Sequence, residues 1–132
     1  MCLFCKIAQK EISSHVILEN DKAIAILDIN PVSDGHTLLI TKNHFTNISE
    51  INEEDWSQLL PLLKKVIDKL QNTLQPSGFN IISNMNEIAY QTVFHLHIHI
   101  IPKYEYDKGF IWTTKPNLKN DLEWVAKKIE LE

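Results

Sequence analysis

Arginine is absent from this sequence, because all 13 of its basic residues are lysines. A bidentate guanidinium clamp on a phosphate group is therefore excluded, and a phosphate site is expected to use histidine, amide and backbone donors. The formal net charge is −4. This charge argues against a general nucleic-acid binder, which carries a basic face.

Long apolar runs are missing as well. The longest, such as residues 23–27 and 98–101, are far shorter than the ~20 residues that a membrane helix needs, so no membrane partner is expected. The first six residues lack the basic head and apolar stretch of a signal peptide, which predicts a cytoplasmic protein. In that compartment the two cysteines are expected to bind a metal and not to form a disulfide.

The chain of 132 residues is long enough to bury a core of its own, which predicts a single domain over residues 1–132. Short β-prone runs bounded by turn formers predict five strands, over residues 15–19, 23–28, 36–41, 79–83 and 92–101. Pro102 is expected to stop the last of them. The short turns between the strands favour an antiparallel sheet.

Apolar residues at helical spacing after Asn52 predict one long helix. They are Trp56, Leu59, Leu60, Leu63, Val66, Ile67, Leu70 and Leu74. Asn52 is the predicted N-cap, and Pro61 indicates either a kink or a later start. Short helices are predicted at residues 2–10, where a turn is the alternative, and along Leu118, Leu122, Val125 and Ile129. The predicted class is α+β, with a five-stranded antiparallel sheet, one long helix and short terminal helices.

Three of the six histidines alternate along the predicted fifth strand, as His95, His97 and His99. They are expected to share one face of the sheet, with neighbours about 6.6 Å apart. A solvated histidine-rich face and a metal site on all three are alternatives, but the pattern favours phosphate chemistry. The intervening residues are predicted to fill the opposite face, against the core: Phe94, Leu96, Ile98 and Ile100.

The three histidines and the two apolar residues after them resemble the signature of the histidine triad family of nucleotide hydrolases and transferases. Further marks of that family stand at corresponding places: Asp28-x-x-Pro31, Gly35-His36, Lys42-x-x-Phe45, Asn84 and Gln91-x-Val93. The resemblance covers residues 2–103. It implies a histidine triad fold and a two-fold homodimer that pairs the main helices and joins two sheets.

The resemblance also implies a mechanism. His97 matches the family's nucleophile, which attacks the α-phosphorus of a nucleotide to form a nucleotidyl-histidine that water then hydrolyses. His99 matches the partner that contacts the phosphate oxygens. Asn84, Gln91 and Thr92 match further groups around the transferring phosphate, and Gln91 is grouped with the two histidines as catalytic.

The nucleoside site follows from the same resemblance. Asp28 matches the carboxylate that accepts hydrogen bonds from the ribose hydroxyls, although it also suits the start of a turn ahead of Pro31. Apolar residues are expected to form the slot for a purine base, with ordinary core packing as the alternative: Leu3, Phe4, Ile7, Ile26, Leu27 and Ile29.

Three residues depart from the family pattern. Asn86 and Tyr90 stand where the loop before the triad usually has glycines, which let a backbone approach a phosphate closely. Asn86 can adopt a left-handed conformation, whereas Tyr90 brings a large side chain to the rim of the site. Lys103 stands where arginine is common.

Cys2-x-x-Cys5 resembles half of a zinc site, and a bacterial branch of the family completes that site with residues that match His44 and His95. Four such ligands form a closed tetrahedral site, so the zinc is expected to be structural and His95 to take no part in catalysis. A redox motif or a chance pairing of cysteines is the alternative. No organic cofactor is expected.

The predicted function is hydrolysis or transfer at the α-phosphate of purine nucleoside phosphoramidates, such as adenylated amines. Hydrolysis of dinucleoside polyphosphates by the same nucleophile is one alternative. A non-catalytic, zinc-stabilised nucleotide-binding scaffold is the other.

Overall fold

A computed structural model describes residues 2–131. Within this range the strands are β1 (Val16–Glu19), β2 (Ala23–Leu27), β3 (Thr37–Thr41), β4 (Gly78–Ile82) and β5 (His97–Lys103). The helices are α1 (Leu3–Ala8), α2 (Glu53–Leu74) and α3 (Leu122–Glu130). The strands form one sheet in the order β1-β2-β3-β5-β4, and every neighbouring pair is antiparallel. The predicted α+β architecture is confirmed.

The two faces of the sheet carry different layers, because alternate residues of a strand point to opposite sides. Ala23, Ala25 and Leu39 pack with Leu59 and Val66 of the long helix α2. The residues between them turn to the other face and pack against α1 in a second cluster: Ile24, Ile26, Leu38 and Ile40. The short helix α1 therefore covers the face that also carries His97 and His99.

Helix α2 begins as the sequence predicts. The Asn52 side chain accepts a hydrogen bond from the Asp55 amide at 2.8 Å, which caps the helix, and acidic residues occupy its first turn. The later start suggested by Pro61 is wrong, because the helix runs through that proline. The buried side chains of Leu59 and Leu62 on either side hold the chain helical despite the missing amide donor.

Strand β5 differs from its prediction at both ends. It begins at His97 and not at residue 92, so His95 lies in the segment that leads into the strand. It also continues through Pro102, which pairs with Phe79 of β4. Because the pairing with β3 extends only as far as Ile100, Pro102 lies beyond that ladder, where its missing amide hydrogen is tolerated.

The burial of side chains on the two faces of the histidine segment also differs in part from the prediction. Leu96, Ile98 and Ile100 are buried as expected, but Phe94 is half exposed because it precedes the strand. The histidine face does not face solvent, since His95 and His97 are buried.

The C-terminal part of the chain is irregular up to Asp121, whose side chain caps α3. The helix begins at Leu122, so Leu118 lies outside the helix that was predicted to include it. Apolar side chains of this region are exposed, including Trp112, Leu122 and Ile129. Among the described residues, no helix is long and apolar enough to cross a bilayer.

Candidate active site and metal centre

A cavity of about 370 Å³ opens between α1, the end of β2 and the histidines of β5. Its size is within the usual range for a small-molecule site. Ten of the twelve residues predicted to bind the nucleotide line it: Leu3, Phe4, Ile7, Ile26, Leu27, Asp28, Ile29, Thr92, His97 and His99. The structure adds others that the sequence did not single out for this role: Ile12, Ser13, Ser14, Asn30, Leu38 and Val93.

The orientation of His97 is fixed by the backbone. Its Nδ1 lies 2.7 Å from the carbonyl oxygen of His95, which can only accept, so Nδ1 carries the hydrogen and donates it. The Nε2 atom is then unprotonated in the neutral ring. Phe4 packs edge-on against this ring, with centroids 4.8 Å apart.

His99 lies beside His97, with ring centroids 5.1 Å apart. It also contacts His36, which immediately precedes β3. Its Nδ1 is 3.0 Å from Nε2 of His36. Gly35 positions His36 here, because its φ of +88° is unfavourable for other residues and a Cβ would lie 2.6 Å from a methyl carbon of Leu74.

The imidazoles at the cavity are held neutral. Burial lowers the pKa of His97 and of His36 below the usual range. The pKa of His99 is lowered to about 4, first by burial and then by the neighbouring His97 and His36 rings. Near pH 7 all three rings therefore offer one lone pair and one N–H group each.

The polar and apolar ends of the cavity are separate. Asp28 starts a turn, since its Oδ1 accepts the Asn30 amide at 2.8 Å, and its Oδ2 lies 3.5 Å from Nε2 of His36. Asp28 therefore both starts a turn and lines the cavity. On the other side Phe4 and Ile7 are buried in the cluster under α1, which makes them core residues as well as cavity wall.

Asn84 and Gln91 are not among the residues that line the cavity. The Gln91 side chain is buried and donates to the carbonyl groups of Thr46 and Val93, while its Oε1 accepts the amide of Asn86. The Asn84 side chain donates to the Tyr90 carbonyl at 3.4 Å. Both side chains thus organise the loop before the triad.

The two residues that replace the usual glycines both have positive φ angles, +78° for Asn86 and +71° for Tyr90. The loop therefore keeps a glycine-like backbone at both positions, at a cost on the order of 1 kcal/mol or more for the tyrosine. The Tyr90 side chain is 84% exposed, which avoids a clash with the loop.

A second cluster joins Cys2, Cys5, His44 and His95, as the sequence resemblance implied. The two sulfurs and the two Nδ1 atoms are all 3.1–3.5 Å apart, so the four atoms mark the corners of a tetrahedron. Zinc bonds of about 2.3 Å to sulfur and 2.0–2.1 Å to nitrogen give edges of about 3.3–3.8 Å. The four sulfur–nitrogen distances, 3.3–3.5 Å, lie within this range, whereas the sulfur–sulfur and nitrogen–nitrogen distances of 3.1 Å are shorter. The donor set of two sulfurs and two ring nitrogens is one that tetrahedral zinc prefers.

The surroundings of the cluster also suit a metal. The Nε2–H of His95 donates to the Thr41 carbonyl at 2.7 Å, which directs Nδ1 toward the sulfurs in the way that metal-bound histidines are usually held. Burial and the adjacent Cys2 thiol raise the pKa of the Cys5 thiol. A bound cation supplies the positive charge that stabilises thiolates in such a place.

His36 has no predicted role, although Gly35-His36 is one of the family's marks in the sequence. The register of the sheet explains its position, since Leu38 pairs with His99 and His36 is two residues before Leu38 on the same face. A histidine just before a strand that pairs with the histidine strand is the signal that could have identified His36.

Comparison with known proteins agrees with this geometry. The family described as HIT domain matches residues 9–106. An uncharacterised HIT-like protein of Mycoplasma genitalium is 47% identical over 122 residues, which cover 92% of this chain and 86% of that protein. A Schizosaccharomyces pombe protein named adenosine 5'-monophosphoramidase is 36% identical, with 97% of this chain and 95% of that protein covered.

A solved structure extends the agreement to the whole fold. The crystal structure of a HIT family member from Bacillus subtilis superposes with a TM-score of 0.89 at 36% identity, covering 98% of this chain and 95% of that one. The matched family region contains the three alternating histidines, Asp28 and His36. The chain belongs to the histidine triad, or HIT, family, in its nucleoside phosphoramidase-like branch.

Proposed function

We propose that this protein is a nucleotide hydrolase that cleaves purine nucleoside phosphoramidates, such as adenylated amines, at the α-phosphorus. The observation that carries the proposal is the His97 ring, whose Nδ1–H is bonded to the His95 carbonyl at the cavity. The ring offers Nε2 as a nucleophile, and the carbonyl stabilises the positive charge that the ring gains on attack.

The reaction proceeds in two displacements. The Nε2 lone pair of His97 attacks the α-phosphorus, and the phosphorus–nitrogen bond breaks with its electron pair on the leaving amine, which takes a proton from water. Water then attacks the nucleotidyl-histidine, the bond to Nε2 breaks, and the nucleoside monophosphate leaves. The net reaction consumes one water molecule and restores the neutral ring.

The cavity suits the nucleoside part of such a substrate. We assign the ribose hydroxyls to Asp28 and the base to the apolar wall formed by Phe4, Ile7 and Ile26. Thr92 lines the cavity close to the histidines and is the hydroxyl assigned to the phosphate. Asn84 and Gln91 are proposed to support this end by holding the loop, because the Asn84 side chain bonds to Tyr90 and the Gln91 side chain joins Asn86 to Thr46.

We also propose that Cys2, Cys5, His44 and His95 bind one structural zinc ion. All four ligand positions are then filled by protein atoms, so the ion has no open position for substrate. The ion would join α1 to the sheet, since Cys2 and Cys5 lie at the start of that helix. The tetrahedral arrangement of the four atoms supports this assignment.

A homodimer is proposed from the exposed apolar surface. Strand β4 is an edge strand of the sheet, and its Ile81 is exposed. On the outer side of α2, Trp56 and Leu60 are exposed as well. Pairing of two such edges and helices would bury these side chains. Sedimentation equilibrium should give twice the chain mass, and a monomer at micromolar concentration would refute the dimer.

The activity is tested with two substrates. We expect release of AMP from adenosine 5'-phosphoramidate with a larger kcat/KM than from diadenosine triphosphate. A substrate labelled at the α-phosphorus should leave label on the protein that survives alkali and is lost in acid, as expected for a nucleotidyl-histidine.

The outcomes separate the alternatives. A preference for diadenosine triphosphate would make the protein a dinucleoside polyphosphate hydrolase. Nucleotide binding without turnover of either compound would make it a scaffold. Replacing the exposed His15 by asparagine serves as the control, because its side chain is not among those that line the cavity and the variant should keep full activity.

A further inference from the structure

We infer that His36 is a positioning residue that fixes the tautomer of His99, so that the Nε2–H group of His99 faces the cavity as a hydrogen-bond donor. This inference rests on the proposed function, because the donor has a use only if a phosphate occupies the cavity. It is carried by a chain of two hydrogen bonds that starts at a backbone amide.

The chain begins at Val32. Its amide N–H lies 3.2 Å from Nδ1 of His36 and can only donate, so Nδ1 of His36 is the acceptor. A neutral imidazole has one hydrogen, which for His36 must then be on Nε2. The reduced pKa of this buried ring agrees with the neutral form.

The second hydrogen bond fixes the tautomer of His99. Nε2 of His36 is 3.0 Å from Nδ1 of His99 and 3.5 Å from Oδ2 of Asp28. The shorter distance is the better hydrogen bond, so His36 donates to His99. Because Nδ1 of His99 is the acceptor, the single N–H hydrogen of the neutral His99 ring is on Nε2.

The two histidines of β5 therefore have opposite tautomers. His97 donates through Nδ1 and keeps a lone pair on Nε2, whereas His99 accepts through Nδ1 and keeps a hydrogen on Nε2. One ring attacks phosphorus, and the other donates to an oxygen of the same phosphate. A donor in this place stabilises the negative charge of the transition state.

Asp28, His36 and His99 each have one potential ligand atom within 4.8 Å of the others, as in a metal site. The Val32 bond argues against that alternative. A metal on Nε2 of His36 would replace its hydrogen, while the amide already occupies Nδ1, so the ring would have to become an imidazolate or lose the amide bond. The hydrogen-bonded arrangement satisfies both nitrogens without either change.

The first test reads the tautomers directly and needs no substrate. Two-bond nitrogen–proton spectra of the ¹⁵N-labelled, zinc-loaded protein near pH 7 should show His99 as the Nε2–H form and His97 as the Nδ1–H form. The His97→Asn and His99→Asn variants assign the signals. His99 in the Nδ1–H form would overturn the inference, even if the enzyme turned over its substrate.

The second test uses a matched pair of variants. Gln can place an amide N–H near the position of Nε2, whereas Leu cannot donate. We expect His36→Leu to lower kcat at least about tenfold with KM changed less than threefold, and to convert His99 into a mixture of tautomers. His36→Gln should recover most of kcat and the Nε2–H form.

These outcomes separate the two proposals. An inactive wild-type protein with the predicted tautomers would refute the proposed function and leave the assignment of His36 and His99 intact. Equal kcat values for His36→Leu and the wild type would refute the positioning role. Loss of activity in both variants, with the His99 tautomer unchanged, would also refute it, because His36 would then act by packing alone.

Discussion

His95 and His97 are two residues apart, yet they serve different regions of the molecule. His95 is fully buried, and its Nδ1 points into a cluster with two sulfurs. His97 lines a cavity together with Asp28 and residues of α1, and its Nδ1 is bonded to the His95 carbonyl. The rings are chemically identical, so their environments must make the difference.

The difference comes from the partner of the second nitrogen. The Thr41 carbonyl accepts from Nε2 of His95 and leaves Nδ1 for the proposed metal, whereas the His95 carbonyl accepts from Nδ1 of His97 and leaves Nε2 for the proposed substrate. A backbone carbonyl thus selects the reactive atom in both cases.

Replacing His97 should remove catalysis and leave the metal cluster intact. We expect His97→Asn to lower kcat/KM by a factor on the order of 10³ or more, because no other group replaces the nucleophile. Zinc measured by atomic absorption should stay at one ion per chain. Residual activity within tenfold of the wild type would refute the nucleophile assignment, and loss of zinc would break the separation of the two regions.

Replacing Cys5 should have its main effect on the metal and on stability. We expect Cys5→Ser to reduce the zinc content to well below one ion per chain. The free energy of unfolding should fall by about 4 kcal/mol at a zinc concentration near 1,000 times the dissociation constant. Urea denaturation with and without a chelator measures this. A variant that is as stable as the wild type in both conditions would contradict a structural metal.

The stability should depend on pH through the cavity histidines. His99 titrates near 6.5 when unfolded and at about 4 when folded, so between these values the unfolded chain binds more protons. The free energy of unfolding should therefore decrease as the pH falls from 6.5 to 4. One such histidine contributes a slope of at most about 1.4 kcal/mol per pH unit, and solvent screening makes it smaller.

The variant His99→Asn isolates this contribution. Denaturation of the variant should show a smaller slope than the wild type between pH 6.5 and 5. The variant retains the cysteine and histidine cluster, so the pH dependence of that cluster cancels in the comparison with the wild type. Identical slopes for His99→Asn and the wild type would contradict the lowered pKa.

A small effect is expected from the hydroxyl of Thr41, which lies 3.2 Å from Nε2 of His95. Thr41→Val keeps the carbonyl that holds the ring, so we expect a loss of about 1 kcal/mol in stability and only a few-fold loss in zinc affinity. Thr37→Val is the matched control, because this buried hydroxyl donates to the Gly35 carbonyl instead. A tenfold or larger loss of zinc affinity in Thr41→Val alone would show that the hydroxyl, too, orients His95.

Much of the fold could be predicted from local patterns. Helical spacing after Asn52 predicted α2, and its cap is formed by the residue that was expected to form it. The start of β5 was missed, because the side-chain bonds of Gln91 shape the preceding loop and such bonds leave no periodic signal. Exposure of Phe94 follows from the same cause.

The site was predictable to the extent that motifs identify residues. The resemblance named the four residues of the metal cluster, and ten of the twelve residues that it implied for nucleotide binding line one cavity. His36 received no role, because its contact with His99 depends on the pairing register of β3 and β5. A register is a property of two strands and cannot be read from either one alone.

Helix α1 takes part in both regions at once. Phe4 and Ile7 form cavity wall, while Cys2 and Cys5 at its start hold two corners of the tetrahedral cluster. Occupation of one region should therefore favour the conformation of α1 that the other requires. By thermodynamic reciprocity, a nucleotide that binds more tightly to the zinc-loaded protein must raise the affinity for zinc by the same free energy, so adding AMP should raise the chelator concentration needed to remove the ion.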